Sequence, residues 1–199
     1  DSDTFDLDIS DILQQDNLHT DQDKLEEIVQ AYQEAINLLP NQPLLKIQSG
    51  VVLWMAEDHD AANAAFKETA AAGSNNPVTL DTLGKAHQQI DREKEAIDFF
   101  NAAIALKPEH IPYQINLAIA HQRNNEPSEA VKIYRRIIAK NNLALNAKNN
   151  LAWILATDPD DKVRDAESAL KLSEELNQQT GHKNFAILDT LAAAQAENG

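Results

Sequence analysis

The chain has 199 residues, five glycines, seven prolines, no cysteine and a formal charge of −15, from 17 Lys and Arg against 32 Asp and Glu. That balance argues against nucleic acid, whose phosphates are bound by clustered cations that release counterions, and it favours a basic or neutral protein partner. The absence of cysteine excludes disulfides and thiolate chemistry but fits the cytoplasm and a bacterial envelope equally, and no run of about twenty apolar residues offers a membrane span.

In chain order, the first segment, 1–11, is acidic with Phe5, Leu7 and Ile9 interspersed and Ile12 just beyond, and reads as a weak helix, the alternative being a docked strap. A divergent hairpin is expected at about 6–40, its second helix (25–39) being the clearer half. Hairpins are then expected at about 43–74, 77–110 and 111–142. In the middle one, Asn76 caps a helix opened by Pro77, a turn falls near Ile90 and Asp91, and the second helix carries Ala96, Phe99, Phe100, Ala103 and Ile104 on one face until Pro108 ends it. From Leu151 the spacing stretches, the next equivalent leucine being Leu191, with a lengthened turn at 157–161 and a helix running towards Gln179. The chain stops after one further helix and begins without an initiator Met or a signal segment, so a fragment of a longer protein is expected.

These hairpins share a 34-residue period. Gly50, Gly84, Ala118 and Ala152 form one column and Tyr32, Phe66, Phe100 and Tyr134 another; Ile28, Ala62, Ala96 and Ala130 form a third, and Ser49, Leu83, Leu117 and Leu151 a fourth. Pro40, Ser74, Pro108 and Asn142 close the units. A repeat of this length predicts a stacked, all-α array in which each hairpin covers its neighbour's apolar face. The small column lets paired helices approach, and the aromatic column wedges between hairpins.

Leu80, Leu83, Gly84, His87, Ala96, Phe100, Ala103 and Pro108 together resemble the tetratricopeptide repeat, with Leu80 and His87 standing where that family prefers aromatics. The resemblance is strongest over 43–144, weaker at 9–42, and takes a lengthened form at 145–184, followed by half a unit at 185–199, which looks like a variant repeat of large bacterial proteins. It implies a right-handed superhelical solenoid of antiparallel hairpins forming one domain over 1–199. The first helix of each hairpin would line a concave face that holds a peptide or partner helix. It does not imply an enzyme.

Helical phase places Leu44, Ile47, Val51 and Trp54 together on that face, followed by Asp81 and Lys85, then Ile115, Ile119 and Gln122, then Trp153. Trp54 and Met55 have an alternative use under the N-terminal helix. Gln48, Thr82, Asn116 and Asn150 keep the 34-residue register as a polar ladder beside the groove, suited either to the backbone of an extended ligand or to capping and bridging between hairpins. The subfamily that clamps a C-terminal carboxylate uses further cations that this chain lacks.

His87 and His121 share a register, but helices of neighbouring hairpins lie about 8–10 Å apart, so buried, hydrogen-bonded histidines are expected rather than a metal site. Asp158, Asp160 and Asp161, like Asp1, Asp3, Asp6 and Asp8, lack the Gly and terminal Glu of a calcium loop. No catalytic constellation or phosphate-cradling loop occurs, and neither cofactor nor catalysis is expected. The expected function is a protein-interaction scaffold, with two alternatives: the recruiting or assembly arm of a larger enzyme, such as a glycosyltransferase or envelope-biogenesis protein, and self-association through the unpaired last helix.

Overall fold

The computed structural model describes residues 22–199; the acidic segment 1–11 and the first helix expected before Leu25 lie outside the described residues. Every regular element among them is α-helical: α1 Gln22–Leu38, α2 Pro43–Met55, α3 His59–Ala72, α4 Pro77–Gln89, α5 Glu93–Leu106, α6 Ile111–Arg123, α7 Pro127–Lys140, α8 Leu145–Thr157, α9 Ala166–Gln179 and α10 Phe185–Asn198. This is an all-α helical-repeat fold. The chain groups into two compact units, Asp1–Leu106 and Lys107–Gly199.

Local chemistry sets the helix boundaries. Asn76 Oδ1 accepts from the Val78 and Thr79 N–H groups at 3.0 and 3.4 Å, and Pro77 opens α4 without wasting a donor. Asp58, Asp165 and Asn184 cap α3, α9 and α10 in the same manner, and Pro43, Pro112 and Pro127 occupy first-turn positions. The first helices of three hairpins end alike. Glu57, Asp91 and Asn125 stand one repeat apart and all have left-handed backbone, with φ of 64°, 56° and 60°. The next residue's N–H then reaches back to the helix: Asp58 to Leu53 O, Arg92 to His87 O and Glu126 to His121 O, at 3.0, 2.9 and 2.8 Å.

In the first unit, Ile47, Val51, Ala62, Phe66, Leu83, Ala86 and Ile90 form one buried cluster joining α2, α3 and α4. Leu25 and Val52 form a second, against which Met55 and Tyr32 pack, so α1 does cover Met55. The small and aromatic columns meet as their spacing implies: a Cβ added to Gly50 would lie 2.6 Å from the Phe66 ring. In the second unit Ala118, Ala130, Tyr134 and Ala152 are fully buried.

The lengthened connection between α8 and α9 is held by Arg164. Its Nη1 donates to the Asp158 and Pro159 carbonyls, its Nη2 pairs with Asp161, and its Nε lies 2.8 Å from Glu197 Oε1. Asp158 and Asp160 each accept from a backbone N–H two residues on. The acidic turn is therefore an arginine-tied loop, with Val163 tucked beneath it.

Candidate functional site

The first-helix faces of α6, α8 and α10 enclose a cleft of about 400 Å³ in the second unit. Its walls are Ile119 and Gln122 of α6, Asn149, Asn150 and Trp153 of α8, and Ala186, Asp189 and Thr190 of α10. Residues three or four apart share a helix face, which is why Ile119 and Gln122, Asn149 and Trp153, and Ala186 and Asp189 project together. Trp153 is 41% exposed, a large apolar surface left uncovered beside polar groups. Asn149 Oδ1 has no hydrogen-bond partner. Thr190, by contrast, donates to its own helix at Ala186 O, 2.9 Å away.

Of the residues expected in the groove, this cleft brings together Ile119, Gln122, Trp153 and the ladder residue Asn150. Ile115 is half-buried one turn away on α6 and does not line it. Ala186, Asp189 and Thr190 were missed, though a signal for them existed. Shifting Asn146, Asn149 and Asn150 by the 40-residue offset that carries Leu151 to Leu191 lands on all three.

In the first unit the expected apolar end of the groove is closed. Ile47 and Val51 are each only 2% exposed and belong to the core with Leu83, Ala86 and Ile90, so these two positions present no area to a ligand. Branched apolar side chains here are consumed by packing against the following hairpin. Trp54 is half-buried, with its ring centroid 4.1 Å from that of His59 and the Arg92 guanidinium 4.9 Å from the ring. Arg92 is itself fixed by Asn63 and Glu95. Leu44 stays exposed, whereas Asp81 is buried and pairs with Lys85 Nζ at 2.8 Å.

The ladder residues are engaged within the protein to differing degrees. Thr82 Oγ1 donates to Val78 O at 2.8 Å. Asn150 Nδ2 donates to Tyr134 Oη at 3.1 Å, bridging α8 to the preceding hairpin, so at this position the bridging role is filled. Burial pushes the Tyr134 phenol up to about 12 despite that bond. Gln48 and Asn116 also have partners within the protein.

His87 is buried, with Nδ1 2.8 Å from Leu83 O and its ring between those of Phe66 and Phe99 at 4.6 and 4.9 Å. Burial lowers its pKa, the Leu83 carbonyl works against this, and Arg92 adds to the lowering. His121 differs, being only half-buried and paired through Nδ1 with Glu126 Oε2 at 2.7 Å. Among the described residues no three His, Asp or Glu side chains are grouped to hold a metal ion, and no helix is long and apolar enough to cross a membrane.

Residues 79–110 match the family model described as tetratricopeptide repeat. Among curated proteins, the peroxisomal targeting signal receptor of Eremothecium gossypii is 28% identical over 94 residues, 47% of this chain and 16% of that protein. Anaphase-promoting complex subunit 6 of Arabidopsis thaliana is 22% identical over 137 residues, 66% of this chain and 25% of that protein. The chain thus spans about a sixth to a quarter of the length of these relatives. Among solved structures, the MamA RS-1 ArsTM double mutant shares the fold with a TM-score of 0.54 and 18% identity, covering 78% of this chain and 86% of that one. YrrB, described as a TPR protein with an unusual peptide-binding site, gives a TM-score of 0.51 at 16% identity, over 85% of this chain and 93% of that one. The match at 79–110 thus identifies one tetratricopeptide repeat within the 34-residue periodicity, and the chain shares the helical-repeat fold of these structures.

Proposed function

We propose that the chain is a protein-interaction scaffold whose second unit holds an extended segment of a partner protein in the cleft between α6, α8 and α10. The observation that carries this reading is Trp153, a 41% exposed indole standing over a polar-rimmed cleft. Aromatic anchors of this kind dominate binding energy when a partner desolvates them, and amides such as Gln122 supply main-chain hydrogen bonds. The peptide-binding site of YrrB and the receptor role of the peroxisomal relatives support a peptide ligand for a chain of this fold.

The test is selection of binders from a displayed random-peptide library, followed by affinity measurements on Trp153→Ala and on Trp153→Ala with Ile119→Ala. Both side chains are at least partly exposed, so the variants retain the helical signal. The expected loss is about tenfold or more for the tryptophan alone. Undiminished affinity in the folded double variant would remove this cleft from consideration.

One observation favours a second reading. Phe185, at the start of the last helix α10, is 82% exposed, so self-association through that helix is the second reading. Sedimentation across a hundredfold concentration range decides it, since a constant monomer mass ends that reading.

A further inference from the structure

Resting on that reading of the cleft, we infer that its ligand is cationic: the partner's segment places an arginine side chain between Trp153 and Asp189.

The argument starts from what lines the cleft. Asp189 is its only charged residue; no Lys or Arg contributes to its walls. Among the described residues the Asp189 carboxylate makes no ion pair, although the other acids of this unit include several that do: Glu109 with Lys140, Glu129 with Lys132, Asp161 and Glu197 with Arg164. An unneutralised carboxylate beside an exposed indole makes a two-sided cation site. The ring face attracts a cation through its quadrupole, and the carboxylate supplies the counter-charge and hydrogen-bond acceptors.

Arginine fits this pair better than lysine. Its planar guanidinium stacks on the indole while its fork donates sideways to Asp189. It is also the less strongly hydrated of the two cations, so leaving water costs it less. An acidic segment would face Asp189 with no cation to answer it, and a purely apolar one would bury that carboxylate unpaired. The chain's net charge of −15 adds long-range attraction for the same class of ligand.

The probe is a blocked pentapeptide, Ala-Ala-X-Ala-Ala, with X as arginine, citrulline or glutamate, titrated to millimolar concentration while the Trp153 indole N–H is followed by NMR. A Trp153→Phe variant assigns that signal. Citrulline keeps arginine's shape and loses its charge. The arginine peptide is expected to shift the signal saturably, about fivefold or more tighter than the citrulline peptide, with an affinity that falls as salt rises. Asp189→Asn, at an exposed position, is expected to keep the fold and to abolish the difference between the two.

Equal binding of the arginine and citrulline peptides would overturn the cation inference while leaving the cleft as a peptide site. Failure of every peptide to move the signal would overturn both. Persistence of the arginine preference in Asp189→Asn would remove the role assigned to that carboxylate. Free spermidine, run alongside, is expected to bind more weakly than the arginine peptide; if it binds as tightly, the site belongs to a small polyamine and the protein partner is ruled out.

Discussion

Gly84 lies so close beneath the Phe100 ring that a Cβ built on it would come within 2.5 Å of Phe100 Cε1, and Gly50 stands in the same relation to Phe66. Both rings are buried, at 0% and 3% exposure, so neither can swing aside. Alanine is the better helix former by about 1 kcal/mol, but overpacking a closed core costs about 1–3 kcal/mol. Gly84→Ala is therefore expected to destabilise the first unit, read as a lower urea midpoint at unchanged slope. Combining it with Phe100→Leu, which removes the obstructing ring edge, should cost less than the sum of the two single changes. Additive costs would show that the contact is not what constrains position 84.

That contact was legible in the sequence because both partners recur once in every repeat, and periodic packing leaves periodic residue types. The same logic located Ile119, Gln122, Asn150 and Trp153, four residues on two of the cleft's three walls. It misread Ile47 and Val51, since helical phase tells which residues share a face but not whether the next hairpin covers that face, and here Leu83, Ala86 and Ile90 do. It gave no sign of Arg92 over Trp54, a contact whose spacing falls outside the repeat. The third wall, on α10, needed the register to be carried through an insertion that lengthens the offset between equivalent positions, as from Leu151 to Leu191.

Lys148 is the least comfortable residue in the second unit. Its side chain is 1% exposed, its Nζ makes no hydrogen bond, and the nearest carboxylate oxygen, Glu175 Oε2, is 3.9 Å away on a half-exposed side chain. A buried ammonium with one distant counter-ion recovers little of its desolvation cost. Lys148→Met keeps the apolar stem and removes the charge, and a gain of about 1–3 kcal/mol is expected in chemical denaturation. A loss of stability would mean that the lysine charge is better compensated than its surroundings indicate.

The three left-handed helix ends form an internal series. Glu57, Asp91 and Asn125 adopt nearly the same φ, but their residue types tolerate it unequally: Asn and Asp bond locally in this conformation, whereas a longer side chain bears about 1–2 kcal/mol of steric cost. Glycine removes that cost but adds entropy to the unfolded chain, offsetting about 0.5–1 kcal/mol of the gain. Glu57→Gly should therefore stabilise most, by about 0.5–1 kcal/mol, Asp91→Gly less, and Asn125→Gly least. Thermal melts of the three variants check the order. A reversed order would show that side-chain contacts, rather than backbone conformation, govern these turns.

His87 gives the first unit a pH dependence whose sign follows from its surroundings. Buried between Phe66 and Phe99, with Arg92 nearby, the imidazole is held below its ordinary value of 6.5, so the folded state binds its proton less readily than the unfolded chain does. For a depressed pKa the contribution to stability is fully present above the unfolded value and declines as pH falls from about 6.5 towards the folded pKa, below which the loss is complete. Glu95 titrates outside this window. Burial raises its carboxyl, but the Arg92 hydrogen bond and charge hold it below 4.5. Replacing His87 with Phe, which fills the same aromatic slot without a titrating nitrogen, should flatten the stability profile between pH 6.5 and 5 relative to the parent chain. Denaturant midpoints at half-unit pH steps measure it, and parallel curves for the two proteins would show that His87 accepts its proton without penalty in the folded state.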